Sequence, residues 1–151
     1  MTQRALVLLF SALLAMTLPV GAHAQPTAKE KAAKQRVAKQ KVIFQVSDAD
    51  PAKWNLALNN VRNVQAELGK DKVLIEIVAY GPGLGMLKME SQVEARLAQA
   101  IEDNVGLIAC ENTMINTKTT RADMHSGISY VPAGVTHLMK RQREGWAYIR
   151  P

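Results

Sequence analysis

The chain has 151 residues, 48% of them hydrophobic and 21% charged, with a formal net charge of +6 and a single cysteine. That length suits one ordinary domain with one core, and a lone cysteine excludes an intrachain disulfide framework. The positive charge raises nucleic acid as a partner, so where the charge lies decides whether that class survives. In chain order, Arg4, an apolar run over residues 5–18 and the small-x-small pattern Ala22, His23, Ala24 read as an export signal over residues 1–24, cut before Gln25. The run is shorter than the roughly 20 apolar residues of a membrane span. No cysteine precedes Cys110, which excludes lipid modification at the cut. The expected mature protein is therefore periplasmic, with no stable membrane insertion after cleavage.

Residues 25–40 form a basic arm. Without Arg4, 18 basic residues face 13 acidic ones; residues 28–41 hold six of the former and one of the latter, so the rest balances at 12 against 12. The body thus has no basic excess to follow a phosphate backbone, and nucleic acid is not an expected partner. The arm reads as a solvated leader, with an anionic membrane or partner contact as the alternative.

The domain proper spans residues 41–151. Residues 42–47 are a β-branched and aromatic strand, and Asp50 before Pro51 opens a helix. Trp54, Leu58, Val61, Val64 and Leu68 form its apolar stripe, and Gly69 ends it. A second strand covers residues 72–80, mostly apolar on both faces; Glu76 within it points to a sheet edge or a subunit interface. Residues 91–103 are an amphipathic helix through Val93, Leu97, Ala100 and Ile101. Residues 106–110 are a third strand ending in Cys110, and Asn112 or Thr113 is available to cap a following helix. A short strand at 128–131, a helix at 132–144 carrying Val135, Leu138 and Met139, and a strand at 145–149 complete the pattern. Strands alternating with helices predict an α/β domain, a three-layer α/β/α sandwich on a mainly parallel five-stranded sheet.

Two features carry candidate chemistry. The loop with Gly81, Gly83 and Gly85 has the wrong spacing and follows the wrong strand for a dinucleotide fingerprint, so it reads as a tight turn that borders a site. Cys110, at a strand's carboxyl end ahead of a helix, meets unpaired N–H groups that favour thiolate, while Glu111 opposes it. A buried cysteine at the end of an apolar strand is also a common inert core residue.

The run Gly106, Leu107, Ile108, Ala109, Cys110, Glu111, Asn112, Thr113, Met114 follows a strand ending in Gly81, Pro82, Gly83. After it come Val131, Pro132, Ala133, Gly134, Val135 and the closing Gly145, Trp146, Ala147, Tyr148, Ile149, Arg150, Pro151. Taken together, this order resembles the DsrE/DsrF-like family over nearly all of residues 41–151. The resemblance implies an α/β/α sandwich, homo- or hetero-oligomers that are often trimers or hexamers, and a sulfur-carrying cysteine at the position of Cys110. At most it implies a sulfurtransferase-like carrier, exchanging with a sulfur donor or acceptor protein. Export places this chain in an oxidising compartment, unlike the family's cytoplasmic relays.

His125, in a polar stretch, reads as an exposed loop residue or as a thiolate partner near Cys110. His125 and His137 form no metal-ligand spacing, so no metal is expected, and no cofactor motif is read. Met86, Met89, Met114, Met124 and Met139 suit packing better than Cu(I). Trp146 and Tyr148 suit sheet packing or a subunit contact. The leading expectation is a persulfide carrier; the rival is an oligomeric binding or scaffold domain with a structural Cys110. Nucleotide binding at the glycine loop ranks last.

Overall fold

The computed structural model describes residues 39–151; the expected signal at 1–24 and the arm up to residue 38 lie outside them. Gln40, the end of the expected arm, already belongs to the first strand. The elements are β1 Gln40–Val46, α1 Pro51–Leu68, β2 Val73–Ala79, a 3-10 segment Gly81–Leu87, α2 Glu94–Glu102 and β3 Val105–Cys110. They continue with α3 Glu111–Asn116, β4 Ser129–Val131, α4 Gly134–Arg143 and β5 Ala147–Ile149. The five strands form one sheet in the order β4-β3-β2-β1-β5, and every pairing is parallel. The expected α/β sandwich is the fold observed.

Local chemistry explains the first crossover. Asp50 accepts from the Ala52 N–H at 2.8 Å, Pro51 sits in the first turn where no N–H is needed, and the Gly69 N–H closes on the Gln65 carbonyl at 3.0 Å. One side of the helix then buries Trp54, Ala57, Leu58 and Val61.

Strand alternation sorts the core into two faces. Val42, Phe44 and Val46 of β1, Ile75, Ile77 and Ala79 of β2, and Leu107 and Ala109 of β3 pack with α1, α2 and Met114 of α3. The opposite face packs Ile43, Val78 and Ile108 against Leu138 of α4 and Trp146. Connection handedness accounts for the split. The steps from β1 to β4 run one way across the sheet, while the step to β5 returns past them, so right-handed crossovers put α4 on the other side. The connections leaving β3 and β4 thus depart to opposite faces, so the topology switches at the carboxyl ends of these two neighbours, where open α/β sheets place their sites.

Three expectations are corrected. Glu76 is at no sheet edge: β2 has β1 on one side and β3 on the other, and the carboxylate is satisfied by α4 as described below. The helix after β3 starts at Glu111, so its cap position is Cys110 rather than Asn112 or Thr113. The helix over 134–143 buries Leu138 but turns Val135 and Met139, 52% and 55% exposed, to solvent. Among the described residues no helix is long and apolar enough to cross a membrane.

Candidate functional site

Cys110 is the last residue of β3, beside β4, and is 5% exposed. In the β2–β3 register Ala79 pairs with Ala109, so Tyr80 is the next residue abreast of Cys110; on the other side Cys110 pairs with Val131. The chain beyond β4 turns at Pro132 and Ala133 into α4, whose first residue is Gly134. A Cβ at Gly134 would lie 3.2 Å from the Tyr80 ring and 3.3 Å from Val78, so helix, phenol and sheet meet there at close range.

The surroundings of the sulfur favour its anion. Burial pushes the Cys110 thiol up, but hydrogen bonds from the Thr113 hydroxyl and from the N–H groups of Gly134, Thr113 and Asn112 pull it further down, leaving it below the ordinary thiol range. The protonated thiol has only the Pro132 carbonyl to donate to, at 4.0 Å, a weak contact. Thr113 is itself oriented: its hydroxyl oxygen accepts from the Gly81 N–H at 2.9 Å, which leaves its proton free for the sulfur. The Asn112 N–H also meets the Pro132 carbonyl at 3.1 Å, tying α3 to the turn before α4.

Polar and aromatic side chains gather around Tyr80, Gln45, Tyr148 and Arg150. Burial pushes the Tyr80 phenol up, as do Tyr148 and Cys110, while Arg150 acts in the opposite sense. Gln45, a buried polar residue on β1, donates to the Ser47 hydroxyl at 3.2 Å and accepts from the Tyr148 hydroxyl. Arg150 lies 3.9 Å from Asp48, which also pairs with Lys53 at 3.1 Å.

Of the residues singled out in the sequence, Gly81, Asn112 and Thr113 converge on Cys110. Gly83 serves the fold: a Cβ there would fall 2.4 Å from the Val46 carbonyl oxygen, so only glycine lets the loop lie against the end of β1. Gly85 faces the Trp54 ring, at 3.4 Å from a built Cβ. His125 belongs to another neighbourhood. Its N–H donates to the Leu87 carbonyl at 2.9 Å, its Nδ1 lies 2.6 Å from the Ser126 carbonyl, and its Nε2 is 3.9 Å from Glu94. Its side chain is 9% exposed, so it is neither a solvated loop group nor one of the donors to Cys110. Sequence reasoning missed Gly134, Tyr80 and Gln45. The available signal was the paired strand end at Val131 and Pro132, which brings the start of the next helix beside Cys110.

Met86, Met114 and Met124 are core residues, while Met89 and Met139 are exposed. Among the described residues no cluster of three or more His, Cys, Asp or Glu side chains is arranged to hold a metal ion. A groove of about 400 Å³ lies between α1 and α2, on the face away from Cys110. Its Arg96 is already held by Asn55 at 2.5 Å and Asn59 at 2.8 Å.

No family model and no curated protein matches the chain. Solved structures do. The E. coli YchN protein is 10% identical, with 74% of this chain and 99% of that chain covered and a TM-score of 0.61. BT1422 from Bacteroides thetaiotaomicron, a conserved protein of unknown function, is 13% identical, covering 74% and 95%, also with a TM-score of 0.61. Both share the fold. MTH1491 from Methanobacterium thermoautotrophicum, a protein of unknown function, is 35% identical over 75% of this chain and 100% of that chain, with a TM-score of 0.72. With that identity over the whole length of the relative, the chain belongs to the family of MTH1491.

Proposed function

We propose that this protein is a DsrE/DsrF-like sulfur carrier in which Cys110 holds sulfane sulfur as a persulfide. The observation that carries the reading is the placement of Cys110 as the last residue of β3, directly ahead of α3, where the Gly81 N–H orients the Thr113 hydroxyl at 2.9 Å and the surroundings hold the thiol below its ordinary range, favouring the nucleophilic thiolate. The thiolate attacks the outer sulfur of a donor persulfide, R–S–SH; the donor's S–S bond breaks, Cys110–S–SH forms with the proton on the transferred sulfur, and the donor leaves as RS⁻. No net oxidation occurs. Handing the sulfur to an acceptor thiolate is the same exchange in reverse.

The reading includes export to the periplasm, supported by the signal pattern over residues 1–24, and assembly into homo-oligomers. Exposed Val135 and Met139, one turn apart on α4, support the assembly. Loading the native protein with a low-molecular-weight persulfide, then trapping with a thiol-reactive probe and measuring intact mass, tests the carrier. A one-sulfur gain confined to Cys110 is expected, absent in Cys110→Ser. Labelling only after denaturation would overturn it.

A second reading has its own observation. Cys110 is 5% exposed, which favours a structural cysteine in an assembly or binding domain. That reading predicts that Cys110→Ser keeps both oligomeric state and biological activity.

A further inference from the structure

Glu76 is a carboxylate on an interior strand, its side chain only 12% exposed, and the sulfur chemistry does not use it. Gly106 on β3 makes its room: a Cβ there would lie 3.2 Å from the Glu76 Cγ. Ile43 of β1 is its neighbour on the other side. From above, α4 supplies two partners. Arg141 grips both oxygens, with Nε at 2.9 Å from Oε2 and Nη2 at 2.5 Å from Oε1. His137 places Nε2 at 2.8 Å from Oε2, and because a carboxylate only accepts, that nitrogen carries a proton. Beyond them, Arg141 donates to Glu144 at 2.8 Å and lies over the Trp146 ring, 4.8 Å from its centre, while the Lys41 ammonium reaches the Glu144 carbonyl at 3.3 Å.

Burying an ion cluster is a poor way to gain stability, since apolar side chains of similar volume often do as well or better. What charged, two-point hydrogen bonds add is direction. Helix α4 needs direction, because among its ten residues only Gly134 and Leu138 are buried. A single apolar knob resists separation from the sheet but scarcely resists sliding along it. The first residue of this helix is Gly134, two residues beyond Pro132, whose carbonyl lies 4.0 Å from the Cys110 sulfur.

We propose that Glu76, His137 and Arg141 are positioning residues: together they pin α4 along the sheet so that its first turn, from Pro132 to Gly134, is held beside the Cys110 sulfur. The geometry is consistent along the axis. Glu76 lies four residues below Tyr80, which is abreast of Cys110, a distance of roughly 13 Å along a strand. Arg141 lies seven residues below Gly134, roughly 10 Å along the helix. The pin and the turn beside the sulfur are thus opposite ends of one rigid lever. The consequence for sulfur transfer rests on the carrier reading above; the pin itself does not.

The ultraviolet absorbance of the Cys110 thiolate, titrated against pH with Cys110→Ser as the blank, tests the pin without requiring access to the sulfur. Two variants of the full chain are compared with wild type: Arg141→Lys, which keeps the charge but loses the two-point grip, and the triple Glu76→Leu, His137→Leu, Arg141→Met. Both are expected to stay folded, the triple with unchanged or raised melting temperature. The thiolate midpoint is expected to rise by about one unit in the triple, a tenfold change in the ionisation equilibrium, and by less in Arg141→Lys. An unchanged midpoint in a folded triple would overturn the pin. Loss of fold in both variants would overturn it too, by making the cluster a requirement of folding. Persulfide loading is scored separately: a wild-type protein that shows a depressed midpoint yet takes up no sulfur refutes the carrier and leaves the pin standing.

Discussion

Gly83→Ala isolates one contact. The φ of Gly83 is not in the left-handed region, so alanine incurs no conformational penalty there, and the whole effect comes from the added methyl. That carbon would lie 2.4 Å from the Val46 oxygen, 2.6 Å from its carbonyl carbon and 2.9 Å from the Ser47 Cα. Even close C–H···O contacts need about 3.3 Å, so backbone must move by about 1 Å, and no flexible side chain is available to absorb the shift. Overpacking costs about 1–3 kcal/mol when side chains give way; against backbone at both ends, about 3 kcal/mol is expected. For a domain of this size that corresponds to a melting point lower by about 12 °C. Gly145→Ala is the complementary control, since its φ is 80° and nothing lies within 4 Å of a built Cβ; its cost is conformational and about 1 kcal/mol. Thermal unfolding followed by circular dichroism measures both. A Gly83→Ala melting point within 2–3 °C of wild type, a loss of under about 1 kcal/mol, would refute the account of this loop. Because the same loop carries the Gly81 N–H to Thr113, the variant should also raise the thiol's midpoint.

Thr113→Val removes the hydroxyl donor while keeping the shape, so the Cys110 thiolate midpoint should rise; thiolate absorbance against pH checks it, and no shift would exclude the hydroxyl from the sulfur's environment. Cys110 is lowered below its unfolded value, so between the folded and unfolded midpoints the unfolded chain binds more protons and stability increases with pH. Wild type should therefore gain denaturant stability relative to Cys110→Ser as pH rises toward about 8.5, the unfolded thiol value, and lose that gain as pH falls through the folded midpoint. Asp50→Ala removes the cap of α1 and should cost about 1 kcal/mol in urea unfolding. Phe44→Ala, a fully buried ring on the α1 face, should cost about 3–5 kcal/mol in the same assay.

The layer pattern was legible because burial repeats along the chain: residues such as Phe44, Ile77 and Leu107 announce strands packed on both sides. The start of α1 was legible because Asp50 and Pro51 act on their immediate neighbours. Glu76 was misplaced for the opposite reason. Its partners are 61 and 65 residues away, and nothing local distinguishes a carboxylate that will be gripped from one that will be solvated. Val135 and Met139 have helical spacing with Leu138, but α4 turns His137 and Arg141 to the sheet instead, where they meet Glu76. At the site, Cys110, Thr113 and Asn112 were found because they adjoin in sequence. Gly134 and Tyr80 arrive through strand register, which a single sequence does not reveal.

The return of the last strand across the sheet has a consequence for synthesis. Among the described residues β1 is the first strand made, yet its outer edge pairs with β5, through Val42, Ile43 and Phe44, and the Gln45–Tyr148 contact spans 103 residues. While β1 to β4 can assemble in the order they leave the ribosome, that edge waits with unpaired N–H and carbonyl groups until the final strand emerges. A nascent chain halted after α4 would carry a nearly complete sandwich with one sticky side, so the interval before β5 closes is when two growing copies are most apt to join by the wrong strand.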